Sequence, residues 1–363
     1  MDKTPMYQYI VNDIKAKIAS GELKPGDPLP TQIELSKIYN TSEITSRRAL
    51  SELVKSGNIY RIRGKGSFVK EKESQEGIKS SIKTVYFVHT QNPVERFNFR
   101  FWSEMLEGIK EVCEENGVDF YLWDSGDKNL LPDDPNAAFI LNTAPDFNLK
   151  VLEAWRDDGR RIVTVHFYYP YLNLPYVIVD NLTGGYLATQ HLLSLGHKRI
   201  GIILTGKSLI DLNQEFSLRL QGYRLALQQH RIPFDSELVC VMDGGYESVE
   251  MGYEGFKQLF RSENPPTAVF ATSDYKAIGA LNAARELGLS VPEDVSLIGY
   301  DDLPAGQYTF PNLTTINQNT FQLGRRAAEI LLRELSGSSG RLVKDEIVPK
   351  LVIRDSTSEL NEA

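Results

Sequence analysis

The chain has 363 residues with 40 basic and 48 acidic side chains, a formal net charge of −8 and 41% hydrophobic content, so one compact core is excluded and two or three domains are expected. A polar start and no apolar run near the roughly 20 residues that cross a bilayer indicate neither export nor membrane insertion, and a cytoplasmic location is expected. Cys113 and Cys240 lie far apart, which excludes a CxxC metal or redox pair and a disulfide framework and predicts two buried thiols.

The charge is unevenly spread. The first 72 residues hold thirteen basic and eight acidic side chains, a surplus of five, which leaves −13 on the remainder. A basic head on an acidic body can bind phosphates while the body stays off nucleic acid. Within the head, Tyr7, Ile10, Val11, Ile14 and Ile18 recur at helical spacing and stop at Ser20 and Gly21. A turn is expected over 25–28. Thr31 and Glu34 form a capping box that starts a short helix ending near Tyr39 and Asn40. Ser42 caps a third helix over 43–56 with Gly57 as its stop; Ser46, Ala49, Leu50, Leu53 and Val54 make its inner face. Two capped helices joined by about three residues are a helix-turn-helix, with Glu43, Ile44, Arg47 and Arg48 on the outer face that enters a major groove. Residues 59–63 alternate as a strand, Gly64, Lys65 and Gly66 turn, and 67–69 return, making a hairpin with a cationic tip.

The string LPTQIELSKIYNTSEITSRRALSELVKSGNIYRIRGKGSFV, residues 29–69, resembles the signature of the GntR (gluconate repressor) family of winged-helix regulators. The resemblance implies contacts to DNA from the start of the second helix, the recognition helix and the wing, which places them on Thr31, Gln32, Ser42, Thr45, Arg47, Arg63, Gly64 and Lys65. Arg48 and Glu43 join them by position. The family's usual arginine after the cap serine is Glu43 here; a carboxylate accepts from cytosine and repels phosphate, so a different operator sequence is expected.

Residues 71–82 are polar, charged and without periodicity, which predicts a flexible linker between a head at 1–70 and a body at 83–356, with a tail at 357–363. Strands are expected over 84–89, 118–123, 138–141, 161–165, 176–179, 199–204, 268–271 and 295–298, alternating with amphipathic helices. The expected fold is therefore α/β: a winged helix-turn-helix followed by doubly wound parallel sheets, with any ligand at the C-terminal strand ends.

Three strings of the body resemble the lactose/galactose-repressor family: VDNLTGGYLATQHLLSLGHKRIGII from Val179, RLQGYRLAL from Arg219, and a long stretch over 265–324. The resemblance implies a two-subdomain periplasmic-binding-protein-like body, a homodimer and a small polar effector, a sugar by default. That family's own headpiece and hinge helix are absent. A GntR-type head on such a body is most similar to the arabinose repressors of Gram-positive bacteria, which brings in L-arabinose. Effector contacts carried over by motif are Arg219, Asp301 and Ser273 or Asp274, with Phe101 and Trp102 as an aromatic pair that serves either as stacking platform or as core; His166, Tyr246 and Gln318 are further candidates. Asp302 is expected to cap the next helix or turn. An enzyme is disfavoured: neighbouring acids on one strand point to opposite sides, the five histidines lack metal spacing, and no GxSxG or GxxxxGK[ST] motif occurs. No cofactor is expected. The partners expected are operator DNA, a sugar and a second copy of the chain; the alternatives are an effector-dependent activator and a sensor of a non-sugar metabolite such as a nucleoside.

Overall fold

A computed structural model describes residues 6–24, 26–55, 59–62, 66–69, 82–89, 99–125, 129–143, 147–244, 247–334 and 342–360. Contacts divide the chain into two units, 1–78 and 79–363.

In the first unit, α1 (Met6–Ala19) buries Ile10, Val11 and Ile14, the stripe visible in the sequence. β1 (Pro28–Leu29) precedes α2 (Gln32–Ile38), whose N-cap Thr31 forms the full capping box with Glu34. α3 (Glu43–Lys55) turns Ser46, Ala49, Leu50 and Leu53 inward, whereas Val54, expected on the same face, is exposed because it falls at the edge of that stripe. β2 (Ile59–Ile62) and β3 (Gly66–Val69) pair antiparallel, and Leu29, Leu35, Ile59 and Val69 complete the core. At roughly 1.5–3 kcal/mol for each large apolar side chain removed from water, this small core is the main force holding the head. The sequence reading took 25–28 as a turn only. Pro28 and Leu29 instead add an edge strand to β3, tolerable for Pro28 because an edge leaves its missing N–H without consequence, while Leu29 fills the core.

The second unit has two lobes. The first contains β4 (Thr84–His89), α4 (Phe99–Glu115), β5 (Asp119–Asp124), β6 (Ala137–Asn142), α5 (Leu149–Asp157), β7 (Ile162–Val165) and β8 (Tyr176–Val179). The second contains α6 (Asn181–Ser194), β9 (Ile200–Ser208), β10 (Asp211–Leu212), α7 (Gln214–Gln229), β11 (Val239–Met242), α8 (Val249–Leu259), β12 (Ala268–Ala271), α9 (Asp274–Glu286), β13 (Ser296–Ile298) and β14 (Thr315–Asn317). The chain then returns: α10 (Thr320–Glu329) packs its Leu323, Ala327 and Ala328 into the first lobe's core, β15 (Lys344–Ile347) joins the first sheet, and β16 (Lys350–Val352) pairs with β14.

The first sheet runs β15-β8-β7-β6-β4-β5 and is parallel throughout; in the second, β9 lies between β11 and β12, with β13 beyond β12, also parallel, and β10 folded back on β9. This is the doubly wound α/β architecture expected. Every expected strand is present within two residues at its start, β9 runs four residues further, and β10, β11, β14, β15 and β16 were not foreseen. β15, KDEI, is an edge strand carrying charge, a composition that discourages edge-to-edge pairing and hides the strand from a hydrophobic pattern. In both sheets the order reverses around the first strand, β4 and β9, so the switch-point crevices lie at their C-terminal ends.

Candidate functional site

Two surfaces carry the chemistry. On the head, Thr31 receives the Glu34 N–H at 3.3 Å and donates its own N–H to the Glu34 carboxylate at 2.7 Å, which fixes the entry to α2. Next to it, the Arg47 Nε donates to Gln32 Oε1 at 3.1 Å, so a side chain from α3 and one from α2 present a joined, exposed edge. The Thr45 N–H donates to Ser42 Oγ at 3.2 Å, and the two hydroxyls lie 2.9 Å apart. Glu43 is exposed in the first turn of α3. Arg48 leans the other way, its guanidinium 3.9 Å above the Tyr7 ring of α1, so its first contact is within the head. Arg63, Gly64 and Lys65 lie outside the described residues, as does the side chain of Ile44.

In the body, Arg219 on α7 is only 2% exposed. It donates from Nε to Asn181 Oδ1 at 2.8 Å and from Nη1 to the Thr272 carbonyl at 2.6 Å, and stacks 3.7 Å over Tyr300. Asp301 follows β13 with φ +117° and accepts from Gln318 Nε2 at 2.5 Å. Burial pushes its carboxyl up to about 7, against the pull of Arg219. From the first lobe, His166 stands at the end of β7 with φ +71°, its ring 6.3 Å from that of Trp102. Burial, then the charge of Arg219, lowers His166 to about 4, so the imidazole is neutral at pH 7. Trp102 also meets Phe87 and His89, which makes it part of the core and an aromatic wall beside two strand ends. The Gln214 amide joins the lobes, giving and taking a 3.1 Å hydrogen bond with the backbone of Tyr168.

Three charged residues here were not singled out from sequence. Lys276 of α9 is fully buried, with its Nζ 2.5 Å from Glu247 Oε2 and 3.2 Å from Thr272 Oγ1. Burial pushes the Glu247 carboxyl up, but the Lys276 ammonium and the hydroxyls of Ser273 and Thr205 outweigh it and hold the group below its usual range. Glu215 sits four residues before Arg219, one turn away on the same helix. A lysine among Ala277, Gly279 and Ala280 on a buried helix face was the signal available for Lys276.

Among the described residues no group of three or more His, Cys, Asp or Glu is placed for a metal, and no helix is long and apolar enough to cross a membrane.

Residues 6–69 match the bacterial regulatory proteins of the gntR family, and residues 189–357 match the periplasmic binding protein-like domain. The chain is 34% identical to the HTH-type transcriptional repressor CytR of Escherichia coli over 72% of its own length and 76% of the relative's. The chain belongs to the HTH-type transcriptional repressors. Another relative, the arabinose metabolism transcriptional repressor of Geobacillus stearothermophilus, is 29% identical over 98% of both chains. A LacI family regulator from Enterococcus faecium, solved with bound ribose, superposes with a TM-score of 0.64 at 27% identity, covering 77% of this repressor and all of that chain. These relatives are transcriptional regulators rather than enzymes.

Against that family frame, the repressor brings Trp102, His166, Arg219, Asp301 and Gln318 into one linked region. Two of the expected contacts are engaged within their own lobe. Asp274 is fully buried and accepts from the Leu303 N–H and the Thr315 hydroxyl, each at 2.6 Å, so both carboxylate oxygens serve the lobe's own loops. Ser273 is fully buried, caps α9 by accepting the Lys276 N–H, and bonds Glu247. Asp302 is not a cap either: its oxygens hold Asn317 at 2.8 Å and Arg354 at 2.5 Å. Nor do Asp301 and Asp302 sit on a strand, since both have positive φ in the turn beyond β13. Tyr246 and the side chain of Phe101 lie outside the described residues. His197 bonds Thr267, Ser296 and the Ser358 carbonyl, a structural role as read from its turn, and both cysteines are buried and free.

The raised carboxyl of Asp301 has a testable sign. The fold holds this proton more tightly than the unfolded chain, so the stability it contributes is full below about pH 4 and is lost as pH rises to about 7. Denaturation of the native chain and Asp301→Asn across pH 4–8 should show the native-minus-variant difference falling through that window. A pH-independent difference would count against the assignment.

Proposed function

We propose that this repressor binds a pseudo-palindromic operator as a homodimer through a head at 1–70, joined by a linker at 71–82 to an effector body at 83–356, and that a small sugar releases it. L-arabinose is the first candidate. The observation that carries the reading is the cluster in which Asp301, just beyond β13, and His166, just beyond β7, both lie in the field of the buried Arg219, with the Trp102 ring against His166. Bidentate donors and acceptors for vicinal hydroxyls, with a flat apolar face for the ring's C–H surface, are what a sugar requires. The arabinose repressor among its relatives and the ribose held by a structural relative support the same effector class. On the head, Thr31, Gln32, Ser42, Thr45 and Arg47 form the described part of the DNA surface, with Arg63, Gly64 and Lys65 assigned to it by motif.

The effector would stabilise the closed cleft and shift the population toward dimers whose heads fit half-sites badly, with a coupling of about 1–3 kcal/mol. Titration calorimetry of the intact chain with pentoses, hexoses and nucleosides, alone and with promoter DNA, tests this. A sugar that binds and weakens the DNA complex supports the reading; a nucleoside that does so instead favours the non-sugar alternative, and tighter DNA binding with effector would reverse the sign of regulation.

Arg47→Ala should weaken operator binding by about 1–3 kcal/mol at fixed salt. If Arg47 reads a base, the loss should be confined to cognate sequence; if it pairs with phosphate, all sequences should weaken and the salt slope fall by about 1. Unchanged binding in both would remove Arg47 from the interface.

A further inference from the structure

The cleft is richer in open acceptors than in open donors. Glu215, 7% exposed, and Gln318, 2% exposed, each keep one side-chain oxygen, Oε2 and Oε1, that is shielded from solvent and without a hydrogen-bond partner among the described residues. An unpaired buried acceptor is unfavourable and calls for a donor. Glu215 follows Gln214, whose amide bonds the Tyr168 backbone of the first lobe, and lies one turn before Arg219, which puts it beside the space between the lobes; it also feels the charges of Arg219, Glu247 and Lys276. Gln318 belongs to the segment between β14 and α10 that passes from lobe to lobe and is already held on Asp301.

The positive groups are largely engaged. Arg219 gives Nε and Nη1 to Asn181 and Thr272, and the Lys276 ammonium is paired with Glu247. In the second lobe the N-termini of α7, α8 and α9, which could otherwise attract an anion, carry the protein's own acids: Glu215 in the first turn of α7, Glu250 in α8 and Asp274 in α9. We infer that Glu215 and Gln318 are specificity-determining effector contacts, two acceptors that select an uncharged, hydroxyl-rich ligand and reject its phosphorylated form. The inference rests on the sugar-sensing reading and adds the selectivity and the residues that set it. A hydroxyl donates to each oxygen, whereas a phosphate dianion brings only acceptors and a charge that carboxylates at Glu215 and Glu247 repel.

Calorimetric titration of the full chain with L-arabinose, D-ribose and D-ribose 5-phosphate tests it. The expected result is that at least one free pentose binds about 100-fold more tightly than the phosphate, and that Glu215→Gln, which keeps an acceptor oxygen but removes the charge, narrows this ratio about 10-fold. Gln318→Leu should weaken the free sugar about 10-fold, and provides a second variant should Glu215→Gln fail to fold by thermal unfolding. Equal or tighter binding of the phosphate, or a ratio unmoved in both variants, overturns the inference and leaves sugar sensing standing. Binding of none of the three sugars at millimolar concentration overturns it together with the pentose reading on which it rests.

Discussion

Replacing Arg219 with alanine is expected to destabilise the body by about 3–5 kcal/mol and to abolish release of operator by effector. The guanidinium is 2% exposed and its removal leaves the Thr272 carbonyl without its side-chain donor and Asn181 Oδ1 with only the Tyr300 hydroxyl at 3.3 Å, in a region where water cannot readily replace it. It also takes away the cation that lowers Asp301 and Glu215, so both carboxyls should shift further upward. Trp102, Trp123 and Trp155 are the chain's only tryptophans and all lie in the body, so urea unfolding followed by tryptophan fluorescence reads this unit alone. Arg219→Lys should keep the charge, lose the planar fork, and fall between the two. An alanine variant of native stability that still releases operator would remove Arg219 from both its structural and its effector role.

Lys276→Met should cost about 3 kcal/mol, at the lower end for a broken buried pair, because the Glu247 side chain keeps 25% of its surface exposed while Lys276 keeps none. The mechanism is the stranded carboxylate rather than lost packing, since methionine has nearly the length of the lysine stem and can still pass the Phe216 ring that now lies 4.2 Å from the ammonium. Lys276→Met combined with Glu247→Gln should therefore recover most of the loss. Additive destabilisation in the double variant, read by the same fluorescence transition, would mean that the ion pair is not the reason lysine is buried there.

The head was legible almost residue by residue because its determinants are local. A capping box needs only Thr31 and Glu34, and an inward stripe needs only the spacing of Ile10, Val11 and Ile14. The same local logic revealed the alternating strands and helices of the body, and with them where a ligand would lie. Arg219 and Asp301 stood out because motifs carried them, not because spacing did.

Contacts between distant segments were settled only by the folded chain. Lys276 meets Glu247 across 29 positions, and Asp274 is claimed by Leu303 and Thr315, 29 and 41 positions away; no local pattern distinguishes such a buried acid from one that lines a cleft. β1 exists because β3 offers Pro28 and Leu29 an edge, and Asp301 and Asp302, both at positive φ, are held by different distant partners, Gln318 for one and Arg354 for the other. The sequence by itself determined most of the helices and strands and their order, since periodicity, capping and motif are short-range properties. The tertiary structure decided which charges are paired and which acceptors stay open, because burial and pairing depend on what the rest of the chain brings to the same place.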